Sequence, residues 1–594
     1  MSLIFDKSNS VVNVFDKQSL STPDKPFLWN KADENYISYS WKEIRNKVEK
    51  FSNALINIGI LEGDRVVIIS ENRPEWLIAD LAIMTIGAIT VPAYITSTKE
   101  DYEYILKHSG ARCAIVSNHA LAQKLIPASL NSPKCENIIK INSESYKYND
   151  PISILQWDTL LDENKNINLD EYVKRHKRND TACIIYTSGT GGNPKGVMLS
   201  HGAMLTNCSG AKHLLNEIQS DLKEIRFLSW LPLSHSYEHT LQFYIIGVAA
   251  QIYYAEGIDK LLVNMSESKP HFMTAVPRFY DSLHTRISQG LKKQSKISQF
   301  LFNETLRLGK KTYFNEPLNF FEKKFNGVLD KIVRKKVKKR FGGSLKALIS
   351  GGAALNFEVG LYLSALGLPL LQGYGQTETG PVVTANPPNK IKLDTVGPIF
   401  KGTQIKIADD GEILVTGENV MNGYWNDPEA TSSTLVNGWI HTGDIGVIDS
   451  EGYLKITDRK KDIIVNAGGD NISPSRIEEK INIEPEFVQS MMYGDFKNYL
   501  VAILVPDKEF AKQWAEKNKK EFDIKKLNFD PEFTKTIKEA TDRINKNLSQ
   551  TEQIRKFLLI DEEFTIENDM MTPTLKVRRF MVKKKYLKKL EELY

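Results

Sequence analysis

The sequence predicts an α/β protein of two units, a large N-terminal domain followed by a small α+β C-terminal domain. Three observations carry this reading. At 594 residues the chain is longer than one hydrophobic core usually supports. From Arg65 onward, short β-rich runs alternate with helical patterns, which is how parallel-sheet proteins are written. After the charged pentapeptide Asp458-Arg-Lys-Lys-Asp462, the remaining roughly 130 residues contain apolar strands and helices of their own, such as Leu500 to Val505.

Taken in order, Val66 to Ser70 (VVIIS) reads as a strand, and Pro74 to Ile86 as a helix whose proline suits a first turn. ITVPAY and CAIVS follow as further strands. Between Pro277 and Phe341 the chain becomes long, charged and helix-favouring, and we read about 277–341 as a helical excursion on the first domain. It ends in Lys331-Ile-Val-Arg-Lys-Lys-Val-Lys-Lys-Arg340, where seven of ten residues are basic. That run suits either an anionic membrane surface or a solvated helix face. From Gly411 to Lys461, turns at Asp410-Gly411, Asn437-Gly438 and Glu451-Gly452 punctuate short strands. The expected division is 1–457 for the large domain, 458–462 for a linker and 463–594 for the small domain. No repeat of fixed period and no low-complexity tract interrupts it.

Composition narrows the function classes. Hydrophobic residues at 41% and charged residues at 25% are ordinary for a globular chain. The net charge of +5 comes from 78 basic and 73 acidic residues, a balance that argues against nucleic acid as a partner. Cys113, Cys135, Cys183 and Cys208 form no CxxC pair and no zinc spacing, so neither a disulfide framework nor a structural metal is expected. The opening MSLIFDKSNS lacks the pattern of a signal peptide. The apolar stretches Leu77 to Ala93 and Phe243 to Ala250 are too short, or carry Asp80, for a spanning helix. A cytoplasmic protein is expected, with any membrane contact peripheral.

The chemistry concentrates first in Tyr186-Thr-Ser-Gly-Thr-Gly-Gly-Asn-Pro-Lys-Gly196, where four glycines, three hydroxyls and one lysine fall within eleven positions after a buried strand. Such a segment turns many backbone N–H groups on an anion. It is not a Walker A loop, because Lys195 follows proline and precedes glycine. With Val-Met-Leu-Ser-His201 behind it, the segment closely resembles the signature of the AMP-forming adenylating superfamily, which includes acyl-CoA synthetases, adenylation domains of peptide synthetases and beetle luciferases. The resemblance implies that Thr187, Ser188, Gly189, Thr190, Gly191, Gly192 and Lys195 hold ATP phosphates. It also implies that the N-terminal domain is the adenylating one and the C-terminal domain mobile. Gly191 departs from the family, which usually has Thr or Ser there, so a backbone N–H would replace one hydroxyl donor.

Further motifs occur in family order across nearly the whole chain. In such enzymes a carboxylate attacks the α-phosphorus of ATP, expelling pyrophosphate, so cations must meet the growing phosphoryl charge. Gln372-Gly-Tyr-Gly-Gln-Thr-Glu378 resembles the second core motif. By that likeness Glu378 holds Mg²⁺, Thr377 meets phosphate, and Gln372, Gly373, Tyr374 and Gly375 border the nucleotide. Ser350-Gly-Gly-Ala-Ala354 resembles the adenine-side loop, implicating Gly351, Gly352 and Ala353. Asn437-Gly-Trp-Ile-His-Thr-Gly-Asp444 resembles the motif whose aspartate takes both ribose hydroxyls. Arg459 matches the second ribose contact, Asp458 the hinge residue, and Lys576, in Thr572-Pro-Thr-Leu-Lys-Val-Arg-Arg579, the catalytic lysine. Gly468 and Gly469, within Asn466-Ala-Gly-Gly-Asp-Asn471, would line the coenzyme A tunnel after a rotation about Asp458. Trp230-Leu-Pro-Leu-Ser-His-Ser-Tyr237 matches the substrate-side motif, and His235 there either borders the acid's carboxylate or is a hydrogen-bonded structural residue.

The segment Asn437 to Asp462 is most like the fatty-acyl branch, so the implied activity is a long-chain fatty acid–CoA ligase using ATP, Mg²⁺ and coenzyme A. The alternatives are an adenylating ligase serving a carrier protein, or one taking a medium-chain or aromatic acid, and an inactive acyl-binding or transport adaptor. Expected partners are the acid, ATP and coenzyme A, with a peripheral membrane contact through Lys331–Arg340. Monomer and homodimer both remain open.

Overall fold

The computed structural model describes residues 4–142, 152–162, 167–187, 193–220, 222–572 and 576–594. Residues before about 425 build two eight-stranded sheets, largely parallel, each ending in antiparallel pairs. In one, Arg65–Ile69 lies between Ile89–Pro92 and Cys113–Val116. In the other, Arg226–Ser229, Phe272–Ala275, Ala347–Ser350 and Leu370–Gly375 run parallel and adjacent.

The run VVII shows why the strands are apolar without alternation. Side chains of successive strand residues leave opposite faces. Val66 and Ile68 enter one hydrophobic core, while Val67 and Ile69 enter a second. A sheet buried on both faces therefore needs continuous hydrophobic strands. The first core lies between the two sheets and encloses the helices Pro74–Thr85, His201–Gln219 and Ser236–Gly247. Helices Lys99–Ser109 and His119–Leu130 cover the outer face of one sheet, and Pro277–Lys292, Lys296–Tyr313 and Phe357–Ala365 cover that of the other.

Every residue of Pro74–Thr85 except Glu75 is buried, with Pro74 in its first turn as expected. Its Asp80 is paired with His239 Nε2 at 2.9 Å, both side chains fully inaccessible. No described helix is long and apolar enough to cross a membrane. The four cysteines are buried and free.

Residues 277–340 hold a succession of helices, Pro277–Lys292, Lys296–Tyr313 and Phe320–Leu329, the last continued by a π-helical turn Asp330–Arg334 and Lys335–Arg340. A five-stranded antiparallel sheet then spans Thr403–Arg459. Its turn at Asn437-Gly438 needs left-handed backbone at both residues, φ 51° and 79°, and Asn-Gly is the pair that tolerates this. Beyond it, Ile464–Val465 and Asn471–Ile472 make a small hairpin. A three-stranded sheet of Phe487–Tyr493, Leu500–Pro506 and Ile554–Leu559 has separate cores on its two faces, packed with helices including Pro474–Ile481, Pro531–Asn545 and Arg579–Glu591. This small unit is α+β, and the large one α/β.

Candidate active site

Thr187 and Lys195 face each other across the hairpin of Thr181–Thr187 and Lys195–Ser200. Ser188, Gly189, Thr190, Gly191 and Gly192 lie outside the described residues, so the Gly191 departure does too. The base of the hairpin is fixed by Tyr104 Oη donating to the Pro194 carbonyl at 3.0 Å and by Tyr186 Oη meeting His108 Nδ1 at 2.8 Å. A two-residue strand, Gly423–Tyr424, pairs with the hairpin's second arm, and Trp425 N–H donates to the Gly196 carbonyl at 2.7 Å. A Cβ on Gly196 would lie 2.8 Å from Ile184 Cγ2 and 3.3 Å from Trp425 Cβ, so only glycine allows this approach.

The approach places Tyr424 between two predicted residues. Lys195 Nζ stands 4.9 Å from the Tyr424 ring centre, and the Tyr424 hydroxyl donates to Glu378 Oε1 at 2.9 Å. Tyr424 was not among the sequence candidates, because a tyrosine in a glycine-flanked two-residue strand carries no motif. Thr377 is buried beside Glu378 and shares a 3.0 Å hydrogen bond with Ser236 Oγ, which likewise escaped the sequence reading.

Asp444 and Arg459 are direct cross-strand partners, and Arg459 Nε donates to Asp444 Oδ1 at 2.8 Å. Asp444 Oδ2 accepts from Tyr374 Oη at 2.7 Å and Gln376 Nε2 at 3.0 Å. Burial, then the neighbouring Asp444 carboxylate, pushes the Tyr374 hydroxyl far above the usual phenol range. It therefore serves as a neutral donor. Gln372 and Ser350 are buried register partners on adjacent strands, and Gln372 Oε1 and Ser350 Oγ have no protein partner. Gly351, Gly352 and Ala353 continue from Ser350 along the same cavity, as do Gly373 and Gly375 beyond Gln372.

His235 Nδ1 accepts from the Tyr237 N–H at 3.2 Å and caps the helix Ser236–Gly247. Burial, reinforced by the charge of Lys576, lowers its pKa to about 4. The imidazole is thus neutral, with Nδ1 engaged in capping, and the ring borders the cavity.

From the small unit comes Lys576. Its ends are tied by Thr572 N–H donating to the Lys576 carbonyl at 2.8 Å and Lys576 N–H donating to Thr572 Oγ1 at 3.0 Å. The residue is solvent-accessible, yet it stands inside the cleft between the two units. The surrounding walls, then Arg459, lower its pKa to about 8 against the opposing pull of Asp444 and Glu378. Asp458 is buried in the strand Leu454–Arg459, where Oδ1 accepts from the Arg459 N–H at 2.6 Å and Oδ2 has no partner. Gly468 and Gly469 are exposed on the hairpin at Val465–Asn471 and are not brought to the cavity.

Lys195, His235, Glu378, Asp444, Arg459 and Lys576 all border one cavity of about 2290 Å³ between the units. It continues between two helices. Asn207, Cys208, Ala211, Leu214 and Leu215 line it from His201–Gln219, and Ser236, Tyr237, Thr240, Leu241 and Tyr244 from Ser236–Gly247. Each set has the spacing of one helical face. The Gln219 amide, hydrogen-bonded to the Tyr244 hydroxyl, lies beyond the last of these residues. No group of three or more His, Cys, Asp or Glu side chains among the described residues is arranged to hold a metal.

Residues 15–425 match the family model described as AMP-binding enzyme, and 461–594 that of the AMP-binding enzyme C-terminal domain. The chain is 30% identical over 595 residues to the long-chain-fatty-acid–CoA ligase FadD15 of Mycobacterium bovis, covering 99% of this chain and 97% of that one. Among solved structures, the anthranilate CoA ligase AuaEII in complex with anthranoyl-AMP aligns with a TM-score of 0.74 at 19% identity, covering 99% of this chain and 98% of that one. The o-succinylbenzoate coenzyme A synthetase MenE of Bacillus subtilis, in complex with ATP and magnesium ion, aligns with a TM-score of 0.68 at 20% identity, covering 96% and 99%.

Proposed function

The chain belongs to the AMP-binding enzyme family, which activates acids with ATP as adenylates, and on that premise we propose that it joins a long-chain fatty acid to coenzyme A. The observation that carries the proposal is the single cavity in which the polar side chains of both units meet an apolar branch. The acid's carboxylate oxygen forms a bond to the α-phosphorus while the bond to the β-phosphate oxygen breaks, releasing pyrophosphate. The thiol sulfur of coenzyme A then attacks the acyl carbon, AMP departs, and the thiol proton goes to solvent.

In the first step the Lys195 and Lys576 ammonium groups balance the phosphoryl charge. Asp444, held by Tyr374, Gln376 and Arg459, accepts from the ribose hydroxyls. The unpartnered Gln372 Oε1 and Ser350 Oγ fit a polar purine edge. Glu378 fits Mg²⁺, since that ion commonly takes one or two carboxylates together with substrate phosphates rather than a cage of protein ligands. When bound, the ion would screen the charge of the phosphates.

The apolar branch supports a long acid. Asn207 to Leu215 spans eight residue steps, about 12 Å of helix at about 1.5 Å per step, and the facing stretch Ser236 to Tyr244 is as long. The long-chain ligase from Mycobacterium bovis, matched end to end, supports the same acid. A second reading, a medium-chain or aromatic acid or delivery to a carrier protein, draws support from the anthranoyl-AMP-bound ligase that shares this fold. AMP release with acids of graded length, measured with coenzyme A and with holo-carrier protein, separates them. Turnover rising with chain length and requiring coenzyme A supports the long-chain ligase. Turnover only with aromatic or medium-chain acids, or only with the carrier, refutes it.

A further inference from the structure

The helical segment from Phe320 to Arg340 presents a face that the proposed reaction does not use. Its inward side packs through Leu329, Arg334 and Phe341, while Phe320, Phe321, Val328 and Ile332 are exposed, Phe321 to 80% and Phe320 to 65%. Interleaved with them are the exposed cations Lys324, Lys331, Lys335, Lys336, Lys339 and Arg340. Not every basic residue of the 331–340 run belongs to this face. Arg334 turns inward and donates to the Ala365 carbonyl at 2.7 Å, the Thr305 carbonyl at 3.1 Å and Asp330 Oδ1 at 2.7 Å.

The charge on the outward face is uncompensated. Glu322 is taken by Lys311 at 2.9 Å and Arg307 at 2.8 Å, and Asp330 by Arg334. Among the described residues, none of the six outward cations has an ion-pair partner; Lys324 Nζ instead stands 4.6 Å from the Phe320 ring centre. Large exposed aromatic side chains normally mark a surface that is covered in use. Lysines flanking them suit a covering layer that is apolar inside and anionic outside, with the stems lying along the apolar layer and the ammonium groups at its boundary. A solvated polyanion would satisfy the lysines and leave the phenylalanines in water.

We propose that the Phe320–Arg340 face docks the protein on an anionic lipid bilayer, with Phe320 and Phe321 entering the headgroup boundary and the lysines meeting lipid phosphate and carboxylate. The face belongs to the large unit. The hydrogen bonds by which the large unit meets the small one, Arg278 to Met571 Sδ and Asn356 to the Glu479 carbonyl, involve other residues, so docking on this face does not cover them.

The test is co-sedimentation of the full chain with vesicles of phosphatidylcholine alone and of phosphatidylcholine with about a third phosphatidylserine, at low and high salt. Binding is expected to the anionic vesicles and to weaken with salt. The triple variant Lys331→Gln, Lys335→Gln, Lys339→Gln should bind on the order of a hundredfold more weakly, since each lysine near an anionic surface contributes about fivefold. Phe320→Ser with Phe321→Ser should abolish the binding that survives high salt. Both variants should keep the melting temperature and the turnover of a water-soluble short acid, which shows that they fold. Equal binding to neutral and anionic vesicles, unchanged binding by either folded variant, or retention on an RNA oligonucleotide without vesicle binding would each overturn the proposal.

Discussion

Raising the pH from 7 to 9 should remove most of the adenylation activity through one residue. Lys576 has its pKa lowered to about 8, chiefly by the surrounding walls and secondly by Arg459. A lowered lysine pKa means that the cation is complete below about pH 7 and lost as pH rises through 8. At pH 9, one unit above, about nine-tenths of the molecules hold a neutral amine, against about 3% for an unperturbed lysine. If the ammonium is what meets the α-phosphate, kcat/KM for pyrophosphate release should fall about tenfold between pH 7 and 9. This parameter reports the free enzyme, in which Asp444 and Glu378 are the carboxylates acting on the amine among the described residues. Bound ATP adds negative charge, so the limb in kcat should lie at higher pH than the limb in kcat/KM. Measured without coenzyme A, the assay avoids the titration of the acceptor thiol. Lys576→Arg, which stays charged, should be slower yet lack the limb. A flat wild-type profile to pH 9, or an identical limb in Lys576→Arg, would refute the assignment.

Further outcomes follow from other contacts. Lys576→Ala should slow acyl-adenylate formation by about 10² to 10³, the usual loss for one charge-stabilising group, while thioester formation from supplied acyl-adenylate changes by only a few-fold. Equal losses in both half-reactions would contradict this. Tyr424→Phe removes the hydroxyl that holds Glu378 Oε1 and should raise the KM for Mg–ATP about tenfold to a hundredfold, as expected for a hydrogen bond to a charged group, with the circular dichroism spectrum unchanged. Ala211→Trp fills the branch between the two helices and should lower turnover of the longest acids more than that of short ones; a uniform loss across chain lengths would place the acid elsewhere.

Much of the architecture was legible because burial leaves a local trace. The unbroken VVII run required a strand covered on both faces, and it contributes to two cores. Pro74 and the Asn437-Gly438 turn announced themselves by backbone restriction. What stayed hidden is what only distance in the chain creates. Tyr424 gains its place because a two-residue strand pairs with the Lys195–Ser200 arm more than two hundred positions earlier, and Ser236 because its helix begins beside Thr377. The basic run at 331–340 misled in a simpler way. Seven cations read as one surface, but a helix divides its residues among faces, and Arg334 falls on the side that packs.

The same unit that brings Lys576 to the cavity leaves Gly468 and Gly469 exposed outside it. Both sets of residues belong to one body with its own cores, so neither can move far without the other. If the glycines line the coenzyme A path, as proposed, the unit would have to turn as a whole to bring them there, carrying Lys576 away. Asp458 gives the proposed pivot a physical handle. Its carboxylate is buried, has one oxygen without a partner, and has its pKa raised, above all by that burial. An ionised group held this way costs stability in the present arrangement, and any rotation that exposes it to water relieves that cost. A buried, under-satisfied carboxylate at the junction thus favours departure from the arrangement that Lys576 needs, while the negative charge of ATP beside Lys576 favours keeping it. Adenylation removes pyrophosphate, and with it most of that charge. The first half-reaction would then itself release the small unit to turn for the second.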